Sequence, residues 1–165
     1  RFGRLSDPRA CWAPVPSRPT VSLALIREFR YEYAAVSPWD GGLDYMTSEK
    51  MNTDNMSRFL VQVSETHEQD FMVMVLDGAS SHKCKELKVP GNIALVFLPP
   101  YSPELNPAEQ IWNVLRRDYF ANRVFDSLNA ATLQAENGLA HMASNREALK
   151  SLTNWPWINA ILKTR

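Results

Sequence analysis

The fold of this chain is decided by two nearby segments, FMVMVLDGASSHK (residues 71–83) and IALVFLPPYSPELNPAEQIWNVLRRDYF (residues 93–120). Phe71–Leu76 is continuously apolar and is closed by Asp77 and Gly78, a pattern typical of a strand buried on both faces. Ile93–Leu98 is also apolar throughout and is followed by two prolines. The two runs therefore predict two consecutive strands.

A helix is expected to follow the second strand. Asn106 can act as its N-cap and Pro107 suits the first helical position, which makes Glu109 the third helical residue. Asp77, at the carboxyl end of a strand, and Glu109, in the first turn of a helix, can meet at one point in an α/β fold. Paired carboxylates at such a point are the ligands that a divalent metal ion needs.

Each carboxylate also has a purely structural explanation, and the residues alone leave both interpretations open. Glu109 lies three positions after Asn106 and so fits a capping box with it. Asp77 and Gly78 fit an ordinary turn, because both residue types favour turn positions for backbone reasons.

Four stretches of the sequence carry a resemblance to a known family. They are LDGASSHK (residues 76–83), LPPYSPELNPAEQIWNVLR (98–116), RFGRLSDPRACWAP (1–14) and NRVFDSL (122–128). On these residues the sequence resembles the IS630-type transposases of the Tc1/mariner superfamily, whose catalytic domains are DDE endonucleases. The resemblance extends from Arg1 to Leu128, and SPELNPAEQIW (102–112) is its most specific motif.

The predicted elements follow the order of a ribonuclease-H-like, mixed α/β fold. Thr20–Val36 and Leu43–Ser48 predict antiparallel strands joined by a turn, and Thr53–His67 predicts a helix capped by Thr53. The two apolar strands and the Pro107 helix come next. We therefore expect one catalytic domain over residues 1–165, with a helical tail from about residue 128.

Two further patterns concern the first long strand and the tail. Tyr31 and Tyr33 alternate with Arg30 and Glu32, which is the period of a half-buried strand. In the tail, Trp155 and Trp157 are more typical of packing residues than of a platform on which bases stack. The sequence predicts no function for the tail.

Composition restricts the class of protein. The 165 residues carry a formal net charge of zero, so the excess of basic residues typical of a stand-alone DNA-binding protein is missing. The two cysteines form no metal-binding pattern, and no stretch is apolar for long enough to span a membrane. No charged and then apolar leader precedes the first residues. These features predict a soluble, cytoplasmic protein, which the resemblance would associate with the nucleoid.

The resemblance implies hydrolysis of a DNA phosphodiester and strand transfer at transposon ends. In the family, three carboxylates hold two Mg²⁺ or Mn²⁺ ions, and the matching motifs make Asp77 the second carboxylate and Glu109 the third. The first lies in an Asp-Glu pair shortly before the RFG stretch, so this chain is expected to lack it, together with the N-terminal DNA-binding region. The nearby aspartates lie in or near predicted turns or a strand edge and are not expected to replace it: Asp7, Asp40, Asp44 and Asp54. An impaired transposase domain is the leading expectation, and a non-catalytic remnant with weak DNA or protein binding is the alternative.

Four side chains are candidates for contacts with DNA: His82, Lys83, Arg116 and Arg117. The two arginines lie one to two turns beyond Glu109, where they can reach phosphates. A hydrogen bond within the loop is the structural alternative for His82, and a solvated surface is the alternative for Lys83. The resemblance implies transposon-end and target DNA as partners, allows a homodimer and implies no membrane.

Overall fold

A computed structural model describes residues 1–78 and 84–163, with the side chains of residues 159 and 161–163 left out. The strands are β1 (Phe2–Leu5), β2 (Leu25–Val36), β3 (Leu43–Ser48), β4 (Met72–Leu76) and β5 (Ile93–Phe97). The helices are α1 (Thr53–Thr66), α2 (Ala108–Val114), α3 (Leu128–Ser144), α4 (Arg146–Thr153) and α5 (Pro156–Lys163). A 3₁₀ turn, Pro103–Leu105, precedes α2, and a π-helical segment, Leu115–Phe120, continues it. No helix in these described ranges is long and apolar enough to cross a membrane.

The first three strands form an antiparallel sheet in the order β1-β2-β3. Its register pairs Phe2 with Arg30 and Val36 with Leu43. The sequence placed the start of the second strand at Thr20, whereas β2 begins at Leu25. Helix α1 does begin at Thr53, but its cap is Asn52, whose side chain accepts a hydrogen bond from the Asn55 amide. Thr53 as the cap was therefore wrong by one residue.

Strands β4 and β5 form a separate parallel pair in which Met72 pairs with Ile93. The prediction that the first apolar run is buried on both faces is wrong. Val73 is 62% exposed and Val75 is 44% exposed, while Leu76 on the opposite face is buried. Helix α1 covers one face only, and none of the described residues buries the other. In this strand, a continuous run of apolar residues therefore does not mean that both faces are buried.

Two clusters of buried side chains make up the core. The helical core joins β1 to α2, α3 and α4 through Phe2, Ile111, Leu115, Phe120, Ala131, Ala135, Leu139, Met142 and Leu149. The sheet core joins α1 to β2, β4 and β5 through Tyr33, Met56, Phe59, Leu60, Val63, Leu76 and Ile93. Ile111, Leu115 and Phe120 are buried and form the core-facing side of the helical segment that follows Pro107. Each of the two candidate carboxylates is thereby attached to a different core.

Candidate active site

Asp77 is positioned by the end of strand β4. It follows Leu76 directly, and the Leu76 carbonyl accepts a hydrogen bond of 2.9 Å from the amide of Leu98, the residue after β5. The Asp77 side chain is exposed. Because β4 and β5 are parallel, their carboxyl ends share one edge of the sheet, and the chain leaves β5 from that edge toward α2. Asp77 therefore lies at the same edge of the sheet from which the chain continues to α2, the helix that carries Glu109.

Glu109 is positioned by a capped helix start. Helix α2 begins at Ala108 with Pro107 in the cap position, so Glu109 is its second residue and not the third as predicted. The Asn106 side-chain oxygen still accepts a hydrogen bond of 3.1 Å from the Ala108 amide, a contact of the capping type. The Asn106 backbone amide instead donates to the Pro103 carbonyl at 3.0 Å. Since a capping box needs that amide to bind Glu109, the purely structural interpretation of Glu109 loses its main contact. No described residue forms a hydrogen bond or ion pair with the Glu109 carboxylate.

Glu109 opens into a pocket of about 530 Å³. The other residues that line it come from the 3₁₀ turn, from α2 and from the tail: Pro103, Glu104, Gln110, Asn113 and Trp155. Asp77 is not among them, so the predicted proximity of Asp77 and Glu109 stays a prediction. Within residues 1–78 and 84–163 there is no group of three His, Cys, Asp or Glu side chains arranged to hold a metal ion.

The amino end of β1 lies in the same region as Glu109. Phe2 packs against Trp112 of α2 with 6.0 Å between the ring centres, and the Arg116 guanidinium lies 6.0 Å from the Phe2 ring. The backbone nitrogen of Arg1 is close enough to Glu32 and Glu109 to feel the charge of both carboxylates. The start of β1, a buried carboxylate of β2 and the candidate carboxylate of α2 are therefore close enough to interact electrostatically.

Sequence reasoning missed Glu32, which it assigned to the polar face of a half-buried strand. Glu32 is only 4% exposed. The Thr47 hydroxyl donates a hydrogen bond of 2.8 Å to Glu32 Oε2, while Oε1 is buried without a partner in the described part of the chain. Burial raises the pKa of Glu32 to about 7, and the carboxylate of Glu136 on α3 adds to the rise. Only the packing of α3 on the second face of the sheet, which no local pattern in β2 records, reveals this burial.

The candidate DNA contacts separate into two groups. His82 and Lys83 lie outside the described residues. Arg116 reaches Asn113 Oδ1 at 3.4 Å and lies 6.0 Å from the Phe2 ring, next to the pocket. Arg117 donates two hydrogen bonds, of 2.6 and 2.7 Å, to Asp118, and this pairing raises the Arg117 pKa. Arg116 is therefore the arginine whose position relates directly to Glu109.

Three of the four alternative aspartates already have partners. Asp7 pairs with Arg9 at 3.0 Å, and Asp40 pairs with Arg146 at 3.3 Å. Asp44 is hydrogen-bonded to His67 at 2.9 Å. The fourth, Asp54, is exposed in the first turn of α1. These contacts favour the expectation that none of them completes the carboxylate set.

Comparison with known proteins places the chain in a family. The family model described as DDE superfamily endonuclease matches residues 8–132. The chain belongs to the DDE endonuclease superfamily. It is also 38% identical over 96 residues to an uncharacterized protein of Sinorhizobium fredii, y4pE/y4sA, a match that spans 58% of this chain and 71% of that protein.

Two solved structures share the fold. The Mos1 transposase paired-end complex with left transposon end matches 94% of this chain with a TM-score of 0.57 at 15% identity. The Mos1 strand transfer complex matches 95% with a TM-score of 0.55 at 16% identity. The chain spans about half the length of these Mos1 chains, 54% in each case. The likeness confirms the predicted fold class, a ribonuclease-H-like α/β fold with an antiparallel sheet first and a helical C-terminal region. The IS630 subtype stays a prediction.

Proposed function

We propose that this chain is the catalytic domain of an IS630-type DNA transposase, which hydrolyses phosphodiesters and transfers strands at transposon ends. The observation that carries the proposal is the family match, because residues 8–132 contain both acidic positions. Support also comes from their placement, one at the carboxyl edge of β4 and the other in the first turn of α2. Residues 1–165 then form one catalytic domain, and α3 to α5 form its helical tail.

The two carboxylates fit the chemistry of Mg²⁺ or Mn²⁺. Both ions prefer oxygen ligands, and the Glu109 oxygens are not occupied by any described residue. A pair of bound ions would activate a water molecule and stabilise the leaving oxygen of the phosphodiester. Two carboxylates fix such ions less well than three, so we propose that Asp77 and Glu109 support full activity only with a third acidic ligand.

The residues of the chain itself would then bind and orient the DNA. Arg116 lies beside the Glu109 pocket and would hold a phosphate of the cleaved strand through charge-assisted hydrogen bonds. His82 and Lys83 would contact the backbone on the Asp77 side. Arg117 would contribute less, since its guanidinium is paired with Asp118. Transposon-end and target DNA are the proposed partners, and a homodimer would hold two ends together.

The first test is stabilisation of the chain by Mn²⁺. A ligand at a hundred times its dissociation constant raises the free energy of unfolding by about 2.7 kcal/mol, so binding is measurable by thermal denaturation. We expect Asp77→Asn and Glu109→Gln each to remove most of this stabilisation. Glu104→Gln is the matched control, because Glu104 lines the same pocket but is not one of the proposed ligands. No Mn²⁺ response, or an equal response in all four proteins, would favour the non-catalytic remnant.

The second test is Mn²⁺-dependent nicking of DNA that carries the transposon ends. The 165-residue chain is compared with a version extended upstream to include an Asp-Glu pair, each beside its Asp77→Asn variant. Loss of one positioning or electrostatic group costs about 10²–10³-fold in rate, so we expect the extended chain to be faster by that order. Equal rates in the two chains, both abolished by Asp77→Asn, would show that the 165 residues already contain every ligand.

A further inference from the structure

A cleft between the end of β3 and the start of α1 carries a concentration of positive charge. Its volume is about 480 Å³, and we call it the β3–α1 cleft. It is lined by residues of β2, β3, the connecting loop and the first two turns of α1: Arg30, Thr47, Ser48, Glu49, Lys50, Asn55 and Arg58. Three of these side chains are basic and one is acidic. Because the whole chain has equal numbers of basic and acidic residues, the excess in the cleft does not reflect overall composition.

The three cations of the β3–α1 cleft keep most of their hydrogen-bond donors available. Arg30 shares a guanidinium nitrogen with Glu49 at 3.1 Å, but the Glu49 side chain is 76% exposed and its charge is therefore well solvated. Among the described residues, the Arg58 guanidinium bonds to Asn55 Oδ1 alone, at 3.4 Å, and none pairs with the Lys50 ammonium group. Arginine carries five N–H donors and lysine three. Such a cluster attracts an anion that accepts several hydrogen bonds.

The loop that carries Lys50 is fixed by side chains on both sides of it. The Lys50 carbonyl accepts hydrogen bonds from the Ser48 hydroxyl at 3.1 Å and from the Asn55 side-chain amide at 2.9 Å. The Asn52 amide donates to the hydroxyl of Tyr33 at 3.1 Å, and Tyr33 is buried in the sheet core. A cleft that is ordered before its ligand arrives loses less conformational entropy when the ligand binds.

The lining of the β3–α1 cleft distinguishes it from a site for a small molecule. Small-molecule sites enclose most of the ligand and are lined mainly by apolar and aromatic side chains. Here every lining residue is polar or charged, and Lys50 and Arg58 are exposed. An open, polar and basic cleft suits the backbone of a nucleic acid, which is itself charged and remains partly in solvent.

The register of the first sheet relates the β3–α1 cleft to the region of Glu109. Arg30 is the cross-strand partner of Phe2, so the two side chains leave the sheet on the same face. Phe2 in turn packs on Trp112, one turn after Glu109 on α2, with 6.0 Å between the ring centres. Adding one strand spacing of about 5 Å to this contact places the cleft roughly 10–20 Å from Glu109. One DNA strand covers that distance in about three to six nucleotides.

We infer that the β3–α1 cleft binds a backbone phosphate of the DNA, several nucleotides from the bond that is cut, through Lys50 and Arg58 with Arg30 beside them. The inference rests on the proposed function and adds to it residues that position the substrate. Phosphate oxygens accept charge-assisted hydrogen bonds from both residue types, and such contacts fix the register of a protein on DNA without reading its sequence. A single phosphate contact at Arg116 would leave the duplex free to rotate about that point, whereas a second contact fixes its direction relative to the carboxylates.

The test measures binding of a short DNA duplex by fluorescence anisotropy over a series of NaCl concentrations, without divalent metal. The logarithm of the association constant falls linearly with the logarithm of the salt concentration, by about 0.9 for each phosphate contact. We expect the double variant Lys50→Gln, Arg58→Gln to make this slope shallower by about one and to weaken binding by about 10-fold or more. Arg58→Lys keeps the charge and should keep the slope.

Arg146→Gln is the matched control, because it removes the same charge from the other end of the β2–β3 hairpin. There Arg146 pairs with Asp40 in the turn at 3.3 Å. This variant should keep both the slope and the affinity of the wild-type chain. Lys50 and Arg58 are exposed, so the double variant should stay folded, which thermal denaturation checks.

Sodium phosphate is the probe for a small-anion site in the same cleft. We expect it to stabilise the wild-type chain no more than NaCl of equal ionic strength does. A phosphate-specific stabilisation that the double variant loses, with an unchanged slope for DNA, would make the cleft a small-anion site and overturn the DNA contact. An unchanged slope by itself, or a wild-type chain that does not bind DNA, would also overturn it. The proposed function fails separately: a double variant with the shallower slope, in a chain that neither responds to Mn²⁺ nor nicks DNA, would support the cleft contact and refute the transposase activity.

Discussion

The two candidate carboxylates lie on elements that differ greatly in how well they are packed. Glu109 lies two residues before Ile111, which is 0% exposed in the helical core between β1, α2 and α3. Asp77 ends β4, a strand with one covered face and with Val73 and Val75 exposed on the other. Among the residues that the structure describes, β4 is hydrogen-bonded in a sheet with β5 alone. One carboxylate is therefore attached to a packed frame and the other to a two-stranded sheet.

This difference indicates which of the two elements, β4 or α2, limits the precision of the site's geometry. A metal site needs its ligands within a few tenths of an ångström of their positions, and two-stranded sheets are weakly stable by themselves. The helical core can hold Glu109 without help from ligands. The position of Asp77 relative to Glu109 depends instead on how firmly β4 and β5 are held against α1. Substitutions in the two cores should therefore have unequal effects.

The largest effect is expected for Ile111→Ala. Replacing a fully buried large side chain by alanine costs about 2–5 kcal/mol, and the dense surroundings of Ile111 favour the upper half of that range. Leu76→Ala removes a residue that is 6% exposed from a sheet with one bare face, so its cost should fall in the lower half. Urea denaturation gives the free energy of unfolding for both variants. A larger loss from Leu76→Ala would mean that the sheet core is the better packed of the two.

Sequence reasoning succeeded where local patterns determine structure. The contacts of Asn106 follow from a cap and a proline in adjacent positions, and the burial of Ile111 and Leu115 follows from helical spacing. The fold class followed from the order of elements together with the family motifs. It failed where burial depends on distant elements. The β4 run could not reveal its bare face, and no pattern in β2 revealed that α3 buries Glu32.

An effect of intermediate size is expected from Glu32, whose protonation should make the free energy of unfolding depend on pH. Its pKa rises from 4.5 to about 7 on folding, so the folded state holds the proton more tightly than the unfolded state does. The stabilisation is fully present below pH 4.5 and is lost as the pH rises to about 7, by roughly 3 kcal/mol in total. Glu32→Gln cannot titrate, so its free energy of unfolding should lack this decline. Urea denaturation at several pH values between 4.5 and 8 measures the difference.

The groups that face Glu32 supply the control for this experiment. They are the Thr47 hydroxyl from β3 and the Glu136 carboxylate from α3. Glu136→Gln removes a neighbouring negative charge, so the decline should persist but shift to slightly lower pH. Parallel curves for the wild-type chain and Glu32→Gln would show that Glu32 is not protonated in the folded state.

The candidate site was predictable only in part, again for physical reasons. The position of Asp77 at a strand end and of Glu109 in the first turn of a helix followed from local patterns, and the family resemblance made both of them candidate ligands. The position of Trp155 beside the Glu109 pocket could not be found in that way, since it depends on the tail returning to α2. The sequence offered only a choice between packing and stacking for this residue, and stacking was the less favoured of the two.

The smallest effects concern the two polar residues at the start of α2, and they separate structure from function. Asn106→Ala removes the side-chain acceptor for the Ala108 amide and should cost about 1 kcal/mol. Glu109→Gln should change the free energy of unfolding by less than about 0.5 kcal/mol, since no described residue bonds to the carboxylate and the Asn106 amide is already used by Pro103. Thermal and urea denaturation without metal would measure both. A loss from Glu109→Gln as large as that from Asn106→Ala would make Glu109 a structural residue of the helix start. If Glu109→Gln loses almost no free energy of unfolding, and also lacks the Mn²⁺ stabilisation that the wild-type chain shows, metal binding is left as the reason for a carboxylate at this position.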